Sequence, residues 1–309
     1  MPNVINYAEV WKRDIIDIFN QNALTSPFMT DRVNWLDAKT FNFTQMATSG
    51  YKNHSRDGGW NRGAVTQAKV PFTLTHDRNI EFLVDVADVD ESNQTASLQN
   101  VSNVFIRTKA VPESDAYFFS KVATAAIGAG LSSSTALTAY TSANVYSKLK
   151  AMVTKGKLRL YKQNGSLIMY INSTIMDLLE QATDFTRKID VTTIADGGTG
   201  IETRITSIDG MPVIEVIDTD RFYTAFNFTD GYKAAVGAYK INALIASTET
   251  VKEVNKINNI YTFAPGAHTV GDGYLYQNRA LSDTFVFPNG LNNTVDSVFV
   301  DRDTVAVTA

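Results

Sequence analysis

Apolar and polar residues alternate through Phe41-Asn42-Phe43-Thr44-Gln45-Met46 and again through Val70-Pro71-Phe72-Thr73-Leu74-Thr75. Period-two alternation is the signature of a half-buried strand. Between the two runs lies Gly50-Tyr51-Lys52-Asn53-His54-Ser55-Arg56-Asp57-Gly58-Gly59-Trp60-Asn61-Arg62-Gly63, polar and studded with glycines that permit tight turns. The pattern predicts a β-hairpin with a long tip over about 40–76. Loops beyond ~12–15 residues are uncommon in compact domains and are usually functional or disordered. An arm this long and polar has little means of burying itself in its own domain. It reads either as a mobile surface loop or as an interface tip, because Trp and Arg concentrate at interface hot spots. Lys52, Arg56, Asp57, Trp60 and Arg62 are the candidate contacts.

Upstream, Val10, Trp11, Ile15, Ile18 and Phe19 recur at roughly helical spacing among charged residues, and Pro27 ends anything helical. This is either a core helix or an N-terminal arm whose apolar face, led by Trp11 and Phe19, docks on another subunit. Downstream, Asn79–Val86 alternates as a strand and runs into the acidic stretch Asp88–Asn93. That stretch lacks the central Gly and terminal Glu of a calcium loop. Pro112 with Glu113 and Asp115 suits the start of a dense apolar helix running to Ile127, with Gly128 and Gly130 as its stop. A helix this apolar must be covered on more than one side.

Residues 131–250 read as an α/β module. Thr141 or Ser142 caps a helix to Lys155, with Gly156 as its stop. Ser166–Ile171 is a buried strand, and Asn172-Ser173-Thr174 caps a helix carrying Ile175, Met176, Leu178 and Leu179. A glycine loop at Asp196–Gly200 precedes strands near Ile205–Ile208 and Met211–Ile217. The stretch 251–309 is mostly β, through Tyr261–Phe263, Tyr274–Tyr276, Thr284–Phe287 and Val298–Val300. The chain shows no sequence repeat and no low-complexity linker.

Composition narrows the function classes. In 309 residues, 44% are hydrophobic and 19% charged, which predicts a folded core. The net charge of −4, from 28 basic and 32 acidic residues, lacks the basic excess of a tight phosphate binder. Lys148-Leu149-Lys150 and Lys155-Gly156-Lys157-Leu158-Arg159 read as solvated helix ends. Absence of Cys excludes disulfides, thiolate nucleophiles and thiolate metal sites. The N-terminus has no signal-peptide pattern, and no apolar run approaches the ~18 residues of a membrane span. There is no phosphate loop, dinucleotide fingerprint or nucleophile elbow. His54, His76 and His268 are isolated from one another, and Asp218 and Asp220 beside Arg221 read as a local ion pair. No catalytic, cofactor or metal site is expected.

The order of segments resembles the tailed-phage major capsid proteins of the Hong Kong 97 type. Ile80–Leu98, with Asp85-Val86-Ala87-Asp88-Val89-Asp90-Glu91-Ser92-Asn93-Gln94, looks like the segment leading into that family's spine helix. Asp209-Gly210-Met211-Pro212-Val213-Ile214-Glu215-Val216, followed by Arg221-Phe222-Tyr223-Thr224, is similar to a strand of that family. Tyr274-Leu275-Tyr276 and Thr284-Phe285-Val286 look like its closing strands. The resemblance covers nearly the whole chain and rests on segment order more than on any one motif.

It implies an α+β fold: an N-terminal arm (1–39), an extended β-hairpin loop (40–76), a peripheral domain with a long spine helix (77–130 and 251–309) and an axial α/β domain (131–250). It also implies self-assembly into pentamers and hexamers of an icosahedral shell, in a virion assembled in the host cytoplasm around double-stranded DNA. The expected partners are further copies of the chain, a portal protein and, because Met1 is followed at once by the arm, a separate scaffolding protein. No cofactor, membrane or sequence-specific DNA contact is implied. An encapsulin-like compartment shell and a non-assembling binding module are the alternatives. Some relatives weld a Lys of the extended loop to an Asn of a neighbour. Lys52 and Lys69 lie in that loop here, and Asn289, Asn292 and Asn293 lie late in the chain. Welded particles boiled in denaturant would run as bands above 34.0 kDa; a lone band at the monomer mass excludes the weld.

Overall fold

The computed structural model describes residues 23–30, 35, 37, 39–54, 56, 58–86, 98–182, 207–269, 271–289 and 294–308. Trp11, Phe19, Asp57, Asn292, Asn293, the acidic run 88–93 and the glycine loop 196–200 lie outside them. In chain order the elements are β1 (Met29–Thr30), β2 (Thr40–Thr48), β3 (Val65–Thr73), β4 (His76–Asp85), α1 (Leu98–Phe105), a π-helical turn (Ile106–Ala110), α2 (Val111–Gly128) and β5 (Ser132–Ser134). Then come α3 (Val145–Met152), α4 (Leu158–Gln163), β6 (Leu167–Asn172), α5 (Ser173–Glu180), β7 (Ser207–Ile208), β8 (Met211–Val216), β9 (Phe226–Asn227) and β10 (Lys233–Ala234). The chain closes with β11 (Tyr239–Ser247), β12 (Val251–Phe263), β13 (Gly273–Val286) and β14 (Val298–Ala306).

Contacts divide the chain into two units. One comprises the described parts of 1–28, 103–251 and 296–309; the other comprises those of 29–102 and 252–295. In the first unit a six-stranded sheet has the order β5-β14-β11-β6-β8-β7. All six residues of β6 are buried, the pattern of a strand covered on both faces. Met169 and Ile171 face a core built with Leu149, Leu158, Ile175, Met176 and Leu179 from α3, α4 and α5. The intervening Tyr170 meets Phe118 and Phe119 of α2, with ring centroids 6.5 and 5.1 Å away. The apolar helix is therefore covered as its composition predicts. It begins earlier than Pro112, however, because α1 and the π turn lead into it without a break. Pro112 fits in the first turn of α2.

Local chemistry sets several ends. Asn172 caps α5, its Oδ1 accepting from the Thr174 N–H at 3.1 Å, as the sequence predicts. Gly130, at φ +71°, follows α2 where only glycine is unstrained. The expected helix from Thr141 to Lys155 is shorter. Asn144 Oδ1 accepts from the Thr141 N–H at 3.0 Å, and this turn delays α3 to Val145. Asp209 and Gly210, at φ 49° and 78°, form the tight turn between β7 and β8, an Asp-Gly hairpin signal. The expected closing strands at Tyr274–Tyr276 and Thr284–Phe287 are stretches of one strand, β13, which ends at Val286. The last strand, β14, pairs with β11 and so belongs to the first unit, apart from β12 and β13.

Two buried carboxylates tie this unit together. Asp301 of β14 is fully buried. It accepts from Tyr140 Oη at 2.7 Å, Thr135 Oγ1 at 2.8 Å, Asn242 Nδ2 at 2.8 Å and, at short range, Ser133 Oγ. Asp115 of α2 is also fully buried. It takes Arg221 Nη1 at 2.8 Å, Thr25 N–H at 3.3 Å, Thr25 Oγ1 at 3.1 Å and Leu24 N–H at 3.4 Å. Arg221 also reaches Asp218 at 3.3 Å, so the expected local pair is present but secondary. Burial pushes the Asp115 carboxyl above its ordinary value, while Arg221 and the other donors pull it back. Asp115 thus pins the segment at Leu24–Thr25 and the Arg221 turn onto α2. Removing one member of a buried ion pair typically costs about 3–5 kcal/mol. Asp115→Ala should lower unfolding stability by that amount in urea titration of the unassembled chain; an unchanged midpoint would show that the pin carries no load.

Candidate assembly interface

The hairpin is built from its root outward. β2 and β3 pair antiparallel through nine residues each, from Thr40↔Thr73 to Thr48↔Val65. At the root, Phe41 packs with Leu74, Val254, Leu281 and Phe287 in one apolar cluster. Phe43 stacks on Phe287 at 4.4 Å, and Phe72 meets Phe285 and Phe287 at 5.3 and 5.2 Å. Each such pair contributes about 0.5–1.5 kcal/mol beyond its buried area.

Polar contacts brace the same root. Asp37 Oδ1 accepts from the Lys39 and Thr40 N–H groups at 2.8 and 3.1 Å. Lys256 Nζ sits 3.9 Å from the Trp35 ring centroid and donates to the Asp37 carbonyl at 2.8 Å. Beside β3, Thr75 N–H and Oγ1 donate to the buried Asp283 at 2.9 and 2.8 Å. On β4, Asp77 is clasped by Arg279 of β13, with Nε at 3.0 Å and Nη2 at 2.8 Å, and by Lys39 at 3.3 Å. Residue patterning marks out the tip of the arm and is silent on these root residues. The Lys39-to-Asp77 and Thr75-to-Asp283 spacings give no local signal of the partnership.

Away from the root the arm leaves the fold. Met46 and Val65 are 60% and 68% exposed, and every described residue from Ser49 to Gln67 is exposed. Among the described residues, the tip is held by its own strands. The Ser49 N–H donates to the Ala64 carbonyl, and the Ala64 N–H returns to Ser49 Oγ, both at 2.9 Å. Asn61 Nδ2 donates to the Asn53 carbonyl at 2.8 Å. A Cβ at Gly63 would stand 2.9 Å from Ser49 Oγ, so glycine suits this closure. Tyr51 and Trp60 are essentially fully exposed.

No protein-family model matches the chain, and no curated protein sequence does. Solved structures do match along nearly its whole length. The mature capsid of bacteriophage PhiM1 aligns over 93% of this chain and 88% of its own, at 12% identity and TM-score 0.63. The capsid of cyanophage P-SCSP1u aligns over 93% and 89%, at 13% identity and TM-score 0.58. The fold is that of the tailed-phage major capsid proteins. A virus-like particle from Pyrococcus furiosus is also similar, at 10% identity and TM-score 0.50 over 96% and 99%.

On this capsid fold, Lys52, Arg56, Trp60 and Arg62 all fall on the exposed tip. Lys52 Nζ reaches the Arg62 carbonyl at 3.3 Å, which draws two of the candidates together. Lys69 is exposed on β3, opposite Thr44. Asn289 forms a β-bridge with Thr294. His54 is exposed, His76 is half-buried, and His268 Nε2 lies 2.8 Å from the Gly273 carbonyl. Among the described residues no three His, Asp or Glu side chains gather as a metal site.

The clasp on Asp77 has a pH signature. Arg279 pulls its carboxyl from 3.8 down to about 2, with Lys39 adding to the pull and burial opposing it. A carboxylate whose folded value is depressed stabilises the fold fully above its unfolded value, and loses that effect as pH falls through the folded one. Between pH 3.8 and about 2, wild-type protein should therefore lose stability that Asp77→Asn does not lose. Parallel slopes for the two proteins in acid-titrated thermal melts would discount the clasp.

Proposed function

We propose that this chain is a shell protein whose activity is self-assembly. Copies form pentamers and hexamers that close into the icosahedral head of a tailed phage around double-stranded DNA. Each hairpin arm lies over a neighbouring copy, with Trp60, Tyr51, Lys52, Arg56 and Arg62, together with Asp57, as its leading contacts. Trp11 and Phe19 supply a second contact from the N-terminal arm. A scaffolding protein guides closure, a portal protein occupies one vertex, and assembly takes place in the host cytoplasm. The chain acts as a structural protein and not as an enzyme.

The observation that carries this reading is the arm, on a capsid fold, with an ordered root and a polar tip on which Tyr51 and Trp60 are exposed. An aromatic side chain buries ~150–250 Å², so covering Trp60 alone offers about 4–6 kcal/mol at ~25 cal/mol per Å². That gain is set against an association cost of several kcal/mol per contact. Repetition around a closed ring makes modest contacts cooperative, and head-to-tail contacts close when the rotation permits. The likeness to the Pyrococcus furiosus virus-like particle favours a second reading, an encapsulin-like compartment. Particles filled with a protein cargo in place of DNA would select it.

Electron microscopy of the purified chain tests the proposal directly, since a monomer at high concentration would leave only a binding module. Deletion of Gly50–Gly63 should give a soluble, folded subunit that no longer closes into particles. Normal particles from that deletion would remove the arm from the assembly mechanism.

A further inference from the structure

Charge is segregated along this chain. From Ala116 to Met176 there are seven Lys or Arg residues and no Asp or Glu, while the whole chain has net charge −4. The remainder therefore carries −11, that is −4 less +7. Six of the seven cations fall between Lys148 and Lys162, on α3, α4 and the turn joining them. The chain packs Leu149, Met152, Val153, Leu158 and Tyr161 inward, which turns Lys150, Lys155, Lys157 and Arg159 to the exposed side. The result is a continuous basic ridge.

Among the described residues, two carboxylates pair with it. Lys150 and Lys162 share Asp209, at 3.3 and 3.4 Å, and Lys157 reaches Asp296 at 3.2 Å. Lys148 Nζ rests 4.7 Å from the Tyr140 ring centroid and donates to the Ala139 carbonyl at 2.6 Å. Among the described residues, Lys155 and Arg159 meet no carboxylate. A cleft of about 380 Å³ opens within the ridge, rimmed by Lys150, Arg159, Lys162 and Asp209 over Ile208 and Met211. The partner's chemistry follows from the charge and its layout. Five of the six cations are Lys, whose ammonium binds phosphate as a point charge without a fixed bidentate geometry. Their spread along two helices and a turn suits an extended polyanion, which presents one charge per ~1.7 Å of duplex.

We propose that this ridge is a docking surface for nucleic-acid phosphate and that it is the face of the wall turned towards the enclosed DNA, the second statement resting on the shell reading above. Full-length chain before assembly should shift the fluorescence anisotropy of a labelled duplex of about three helical turns. Its log affinity should fall linearly with log salt between about 50 and 200 mM. Lys155→Gln with Arg159→Gln should weaken binding and flatten that slope by about 2, and Lys155→Gln alone by about 1. Arg107→Gln with Lys109→Gln, the same charge change at exposed sites outside the ridge, should leave the slope unchanged. Absence of wild-type binding at about 50 mM salt, equal losses in both double variants, or no loss in the ridge variant would overturn the proposal. Binding of polyglutamate in preference to the duplex would also overturn it, in favour of an acidic protein partner. Shell closure is scored separately by electron microscopy. Duplex binding without particles would sink the shell reading alone, and particles without ridge-dependent binding would sink this proposal alone.

Discussion

Phenylalanines at the root of the hairpin decide what the rest of the arm can do. Phe41, Phe43 and Phe72 pack against Phe285 and Phe287 of β13 and its exit. That packing orders the first residues of β2 and the last of β3, so the ladder between them extends into solvent as a defined ribbon. Without such a root, a two-stranded ribbon is at best marginal in water. With it, the exposed distal strands and tip become a presented surface. A stable root and an uncovered end are the two features an arm needs if its packing is to finish on another molecule.

The distribution of charge follows a related logic. The fully buried carboxylates of the first unit, Asp115 and Asp301, are each surrounded by several donors. This is the condition under which a polar group can be buried without a large penalty. Asp115 fastens Leu24–Thr25 and the Arg221 turn to α2, and Asp301 fastens the segment from Ser133 to Tyr140 to the sheet. Outside, acidic groups are spread over most of the chain while the cations of α3 and α4 collect on one ridge. Net charge averages these regions away. Local potential, which governs what approaches a given surface, does not.

Much of the architecture could be read before any coordinates. The period-two runs predicted β2 and β3, the six-residue apolar run predicted β6, and Asn172 announced the start of α5. The tip residues could be picked out because glycine, tryptophan and arginine stand out in a polar loop. What escaped was long-range. Glu113 and Asp115 look alike as helix-start acids, yet only Asp115 lies on the covered face against Arg221. Thr141 looks like a cap, but the turn closed by Asn144 starts the helix later. Asp77, Arg279 and Lys39 lie on three segments, so their clasp at the root exists only once β4 and β13 are paired. The basic ridge escaped for another reason: each Lys pair looks ordinary alone, and its significance lies in the acid-free span around it.

The nine-pair ladder also has a mechanical consequence. At ~3.4 Å per residue, the ribbon carries its tip about 30 Å from the phenylalanine root. A lever of that length turns about one degree of tilt at the root into roughly half an ångström at Trp60. A tilt of about three degrees at the root would therefore carry the far end about 1.5 Å. In a shell of the kind proposed, curvature could thus be tuned from residues at the foot of the arm.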